Sequence, residues 1–84
     1  MVIPEELLEQ ANRYIHAIEE VAHCNSYTST ATMYALDYTR VQEHDKFTEL
    51  CRKHGIKLYN REQFTRYAFE ITGRKLFGRE HVKN

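Results

Sequence analysis

The sequence has no tryptophan, one proline, three glycines and two cysteines among its 84 residues. Each scarcity excludes something. So little proline and glycine leaves little punctuation, as expected for helices joined by short turns. Two cysteines, Cys24 and Cys51, are too few for a disulfide scaffold, which points to an intracellular, cytoplasmic chain with reduced thiols. No run approaches the roughly 20 consecutive apolar residues of a membrane span. The opening Met1-Val-Ile-Pro-Glu-Glu is acidic where a signal peptide is basic, so no membrane partner is expected. No G-x-S-x-G elbow or phosphate-cradling glycine loop occurs, and Ser26 and Ser29 have no neighbouring base. The expectation is a protein that is not an enzyme and carries no cofactor.

What is present is ordinary for a folded chain. Hydrophobic residues are 42% and charged residues 29%, too apolar for disorder. The length allows one domain, residues 1–84, with a modest core. The formal net charge of zero conceals a division. Residues 1–44 carry seven acidic groups against Arg13 and Arg40, a net of −5, whereas residues 45–84 carry ten basic groups against five acidic ones, a net of +5. Such asymmetry points to a polyanion partner or to complementary self-association.

The first helix is read from about Pro4 to Cys24. Glu5 and Glu6 suit the positive end of its dipole, and Leu7, Leu8, Ala11, Tyr14, Ile15, Ile18, Val21 and Ala22 recur at helical spacing. The stripe Leu8, Ala11, Ile15, Ile18 and Ala22 serves equally as a core or as a homodimer seam. Asn25 to Thr30 is a polar break of capping and turn residues. In residues 31–54, Met33, Leu36, Val41, Phe47, Leu50 and Cys51 are inward candidates, yet no single face collects them. Two helices or one bent helix are expected there, ending near His54 with Gly55 in the left-handed position. Asn60 and Gln63 resemble a capping box that opens a last helix over 61–72, closed by Gly73. The basic tail, 74–84, reads either as a short hairpin turning at Gly78-Arg79 or as a frayed end. The fold class is therefore all-α, a small bundle of three to four helices.

Residues 47–72 read as helix, glycine turn, helix, the spacing of a helix-turn-helix whose second helix enters the major groove. Phe47, Leu50 and Cys51 would brace against Ile56, Phe64, Ala68 and Ile71. Arg61, Glu62, Thr65, Arg66, Phe69 and Thr72 would then face outward. Arg61 and Arg66 suit bidentate contact with guanine, and Thr65 suits a base edge or a thymine methyl. Lys57, Tyr59 and Asn60 before the helix, with Arg74, Lys75 and Arg79 behind it, suit phosphates.

The run Phe47-Thr-Glu-Leu-Cys-Arg-Lys-His-Gly-Ile-Lys-Leu-Tyr-Asn-Arg-Glu-Gln-Phe64 resembles the winged-helix domains that end phage and plasmid primase-helicases. Phe47, Cys51, Gly55, Asn60 and Phe64 stand at matching places. The run departs from that pattern at Leu50, where the family has tryptophan, and lacks the Pro-Leu-Ser before the second helix. With no nucleotide-binding loop, primase or helicase activity does not carry over. The resemblance implies a winged-helix-like shape that binds nucleic acid, with a C-terminal hairpin as its wing.

Other signals have plainer explanations. Cys51-x2-His54 has usable zinc spacing, but Cys51 falls on a buried face, and His16, Glu19, Glu20 and His23 make an ordinary solvated cluster. No metal site is assigned. Tyr27, Tyr34, Tyr38 and Tyr59 favour interfaces or base stacking wherever they are exposed, and about half of them are expected to fill gaps between helices. The leading expectation is a small regulator, of the kind phages and mobile elements encode, that binds double-stranded DNA through its basic half. The alternative is an adaptor or inhibitor that meets a larger protein through its acidic first helix or its tyrosines. A homodimer is compatible with either.

Overall fold

Local signals decide where each helix begins and ends. The computed structural model describes residues 2–74, which form α1 (Glu5–Ala22), α2 (Thr30–Lys53) and α3 (Arg61–Thr72), with no strand among them. Pro4 is the N-cap of α1, and its carbonyl accepts from the amides of Leu7 and Leu8, both at 3.1 Å. Glu5 and Glu6 occupy the first turn, where carboxylates complement the dipole. Ser29 caps α2 by accepting from the Thr32 amide at 3.1 Å. In the polar break before it, the Asn25 side chain accepts from the Tyr27 amide at 2.8 Å, a turn that mimics a backbone turn.

The end of α2 is a complete Schellman motif. Gly55 takes φ +77°, its amide donates to the Arg52 carbonyl, and the Ile56 amide donates to that of Cys51 at 2.8 Å. Ile56 then folds back onto the core. α3 opens with the expected reciprocal cap, displaced by one residue on one side. Asn60 Oδ1 accepts from the Gln63 amide at 2.9 Å, while Gln63 Oε1 accepts from the amide of Tyr59, not of Asn60, at 2.7 Å. Gly73, at φ +69°, closes the helix.

Where two helices or a bent one are expected over 31–54, α2 is a single helix of 24 residues. Its inward candidates split along its length. Phe47 and Cys51 are fully buried and Leu50 packs against them, whereas Met33 and Val41 are exposed.

α1 is the central element. α2 and α3 both lie on it, and they meet each other only lightly. The core joins Leu7, Ala11, Tyr14 and Ile15 of α1 to Phe47 and Cys51 of α2 and to Phe64 and Ala68 of α3. Rings order this core: Tyr14 stacks with Phe47 at 6.1 Å and Phe47 with Tyr67 at 6.2 Å, and the half-buried His44 meets Tyr14 edge-on at 5.3 Å. Two polar contacts fasten the helices. Gln10, buried in α1, donates from Nε2 to the Glu43 carbonyl (3.0 Å) and to its carboxylate (2.6 Å). Tyr14 Oη lies 2.7 Å from Thr65 Oγ1. The Thr65 hydroxyl proton goes to the Arg61 carbonyl at 2.8 Å, so the tyrosine is the donor of this pair.

The stripe offered as core or dimer seam is largely used within the chain. Ala11 and Ile15 are fully buried and Ile18 packs against the core, while Leu8 lies at its edge and Ala22 is exposed. The seven residues named for helix-turn-helix bracing, Phe47 to Ile71, all lie in or against the core. The support they give α3 comes mainly from α1, not from α2 as in a helix-turn-helix. The hairpin at Gly78-Arg79 lies outside the described residues.

Candidate functional site

The residues first assigned to nucleic acid fall into three groups. Lys57, Tyr59 and Arg61 are exposed around the start of α3, and neither cation has an acidic partner among the described residues. Arg66 is exposed too, but it pairs with Glu62 one turn earlier at 2.9 Å. The other three described residues have structural duties. Asn60 is a helix cap, Thr65 is half-buried against α1 with its hydroxyl bonded to Tyr14 and Arg61, and Arg74 reaches back to α1. Arg74 contacts the Asn12 side chain at 3.3 Å and the Glu19 carboxylate at 2.5 Å. Lys75 and Arg79 lie outside the described residues.

The charge division is partly closed by the fold itself. Glu6, at the acidic start of α1, meets His54 Nε2 at 2.7 Å and Lys53 at 3.3 Å, where α2 ends. The hydrogen bond from His54 and then that from Lys53 hold its carboxyl below the usual carboxylate range. Glu19 and Arg74 close the far end of α1 in the same way. On α3, the outward Glu62, Arg66 and Glu70 leave a face of mixed sign.

The tyrosines overturn the expectation that some of them fill gaps. Tyr27, Tyr34, Tyr38 and Tyr59 are 95%, 73%, 65% and 85% exposed. Tyr34, Tyr38 and Val41 sit at i, i+4 and i+7 on α2, roughly 125° around the helix from the side that carries Phe47 and Cys51, and all three are exposed on one outward stripe. Between Thr30 and Gln42 the only charges are Asp37 and Arg40, and they neutralise one another at 2.9 Å. The sequence reading missed this stripe because it sought one inward face for α2. The available signal was that the apolar residues left over from that face share a face of their own.

Remaining clusters have local partners. His16 pairs with Glu20 at 3.2 Å beside an open groove lined by Asn12, Ala17, Leu36 and Thr39. Cys51 is buried, which pushes its thiol up to about 11, and neighbouring His54 is engaged with Glu6. Among the described residues, no three His, Cys, Asp or Glu side chains converge as a metal site would require. Ser29, one of the two serines weighed as nucleophiles, is a helix cap. No helix among the described residues is long and apolar enough to cross a membrane.

The described part of the chain is thus a three-helix, all-α bundle with one aromatic surface and one small basic surface. The chain matches no protein family, no curated protein and no solved structure.

Proposed function

We propose that this chain is a protein-interaction module whose docking surface is the outer side of the first half of α2. One observation carries the reading: tyrosines and aliphatic side chains share an exposed helical stripe with no unpaired charge between Thr30 and Gln42. Interface centres are enriched in tyrosine and methionine and depleted of charge, and clustered exposed apolar surface marks contact sites. Tyrosine adds large contact area at low entropic cost, since it has only two rotatable side-chain bonds. The role is one of binding, not catalysis, in a cytoplasmic setting that accords with the free Cys24 and Cys51.

A photo-crosslinking amino acid at Tyr38, compared with one at the exposed Glu9, tests this in cells. A protein adduct at position 38 and none at position 9 is expected. Absence of an adduct at position 38 would remove the surface from the mechanism.

A second reading, binding to nucleic acid, is favoured by Lys57 and Arg61, which have no acidic partner among the described residues, beside the exposed Tyr59, a cation-and-aromatic set suited to phosphate and base. The winged-helix resemblance over residues 47–64 and a role as a phage-type regulator of double-stranded DNA belong to this reading. Fluorescence anisotropy with duplex and single-stranded probes across a salt series tests it. Several phosphate contacts give a log–log slope of several units, reduced by Lys57→Ala with Arg61→Ala. No binding at low salt would end this reading.

A further inference from the structure

We infer that the occupant of the α2 outer surface is a second copy of this chain, packed with its own α2 antiparallel across a two-fold axis at Tyr38. The inference rests on the proposed reading of that surface as a docking site. It adds the identity and direction of the partner.

The argument is one of self-complementarity. A two-fold axis at Tyr38 pairs positions equally far before and after it. Asp45 then faces Ala31 of the other copy, and on the flank Tyr34 lies beside Gln42 and Val41 of the other copy. All of these positions are exposed. Helical geometry keeps Ala31 and Asp45 within about 20° of Tyr38 around the helix, each about 10 Å along the axis from it, and sets Tyr34 and Val41 together on one flank. Larger side chains therefore meet smaller ones: Tyr34 lies between a flexible glutamine and the smaller Val41.

Charge settles the direction. The first turn of α2 has no acidic residue to complement the positive end of its dipole. In the antiparallel pair, the exposed Asp45 of each copy arrives at that turn of the other, and the remainder of the stripe is neutral. A parallel pair would instead set Asp45 against Asp45 and leave both helix starts without an acid. An isologous contact of this kind closes on itself and does not propagate into fibres.

Size sets the strength. Tyrosines that cover about 150–250 Å² each, with Val41 and the small residues, bury on the order of 500 Å² per copy, against about 800 Å² in a standard interface. The pair is therefore small for an interface and forms reversibly.

Sedimentation of the full chain over a concentration series from about 5 to 500 µM tests this by mass action. The average mass is expected to rise from one chain towards two, and a monomer throughout would overturn the inference. Tyr38→Glu sets two carboxylates face to face and should weaken the pair more than about tenfold. The side chain is exposed, so circular dichroism should show the helices intact. Unchanged association in that variant would also overturn the inference.

Direction is read by disulfide trapping in a Cys24→Ser background. Tyr38→Cys should link to itself, and Tyr34→Cys should link to Gln42→Cys but not to itself. Self-linking at position 34 would indicate parallel packing and overturn the geometry. The in-cell adduct keeps the two levels separate. A heterologous adduct at position 38 with a monomeric chain leaves the docking surface standing and removes the second copy. No adduct and no dimer removes both.

Discussion

Removing the hydroxyl of Tyr14 and removing that of Thr65 should have unequal effects, although the two share one hydrogen bond. Tyr14 is 1% exposed and donates to Thr65 Oγ1 at 2.7 Å. Thr65 is half-buried and passes its own proton to the Arg61 carbonyl. In Tyr14→Phe, Thr65 keeps its donor bond and loses one bond as an acceptor, which water reaches in part. The cost is that of an ordinary hydrogen bond, about 0.5–1.5 kcal/mol.

In Thr65→Val, the shape at position 65 is kept but the tyrosine hydroxyl is left buried without a partner. That costs about 1–3 kcal/mol. Carrying both substitutions replaces the pair with apolar groups, which is close to neutral. The double variant should therefore be more stable than Thr65→Val alone. Urea unfolding gives the free energies, and thermal melts should separate the variants by about 4–8 °C for each kcal/mol in a domain of this size. Equal single effects with strict additivity would refute the assignment of donor and acceptor, and with it this contact as the fastening of α3 to α1.

Gly55→Ala introduces a Cβ that meets no atom within 4 Å, so its whole effect is backbone strain at φ +77°. A loss of about 1–2 kcal/mol is expected, less for Asn, and a neutral result in thermal melts would contradict the Schellman geometry. Burial raises the Cys51 thiol from 9.0 to about 11. The folded chain thus holds a proton that the unfolded chain releases, so this contribution to stability is complete below pH 9.0 and is lost as pH rises through about 11. Urea midpoints across that window should fall more steeply in the wild type than in Cys51→Ala. A thiol reagent should modify the half-exposed Cys24 before Cys51.

α1 and α3 were legible because each carries a single apolar face and an end signal that acts through the backbone. The Leu7-to-Ile18 stripe, the Asn60 and Gln63 cap, and the left-handed Gly55 and Gly73 depend on neighbours a few residues away. α2 was illegible as one helix because its apolar residues serve two sides, the core below Phe47 and solvent around Tyr38. The candidate basic site failed to read through for a related reason. Thr65 and Arg74 have the chemistry of nucleic-acid ligands and equally that of ties between helices, and only the position of α1 decides between the two. Gln10 was missed altogether. A glutamine within a helical stripe gives no sign that a carbonyl 33 residues away will receive its amide.

The opposed charges of the two halves matter most when the chain is not folded. In the native bundle, the pairs of Glu6 with Lys53 and His54, and of Glu19 with Arg74, bring part of that opposition into contact. After unfolding, an acidic first half and a basic second half of equal and opposite net charge still attract along one flexible chain. The denatured ensemble is drawn in at low salt and swells as salt screens it. Urea leaves that attraction in place, whereas guanidinium chloride, itself a salt, removes it. Guanidinium therefore reports a more expanded unfolded state, and the ratio of the two denaturant slopes becomes a gauge of how strongly the unfolded halves still hold one another.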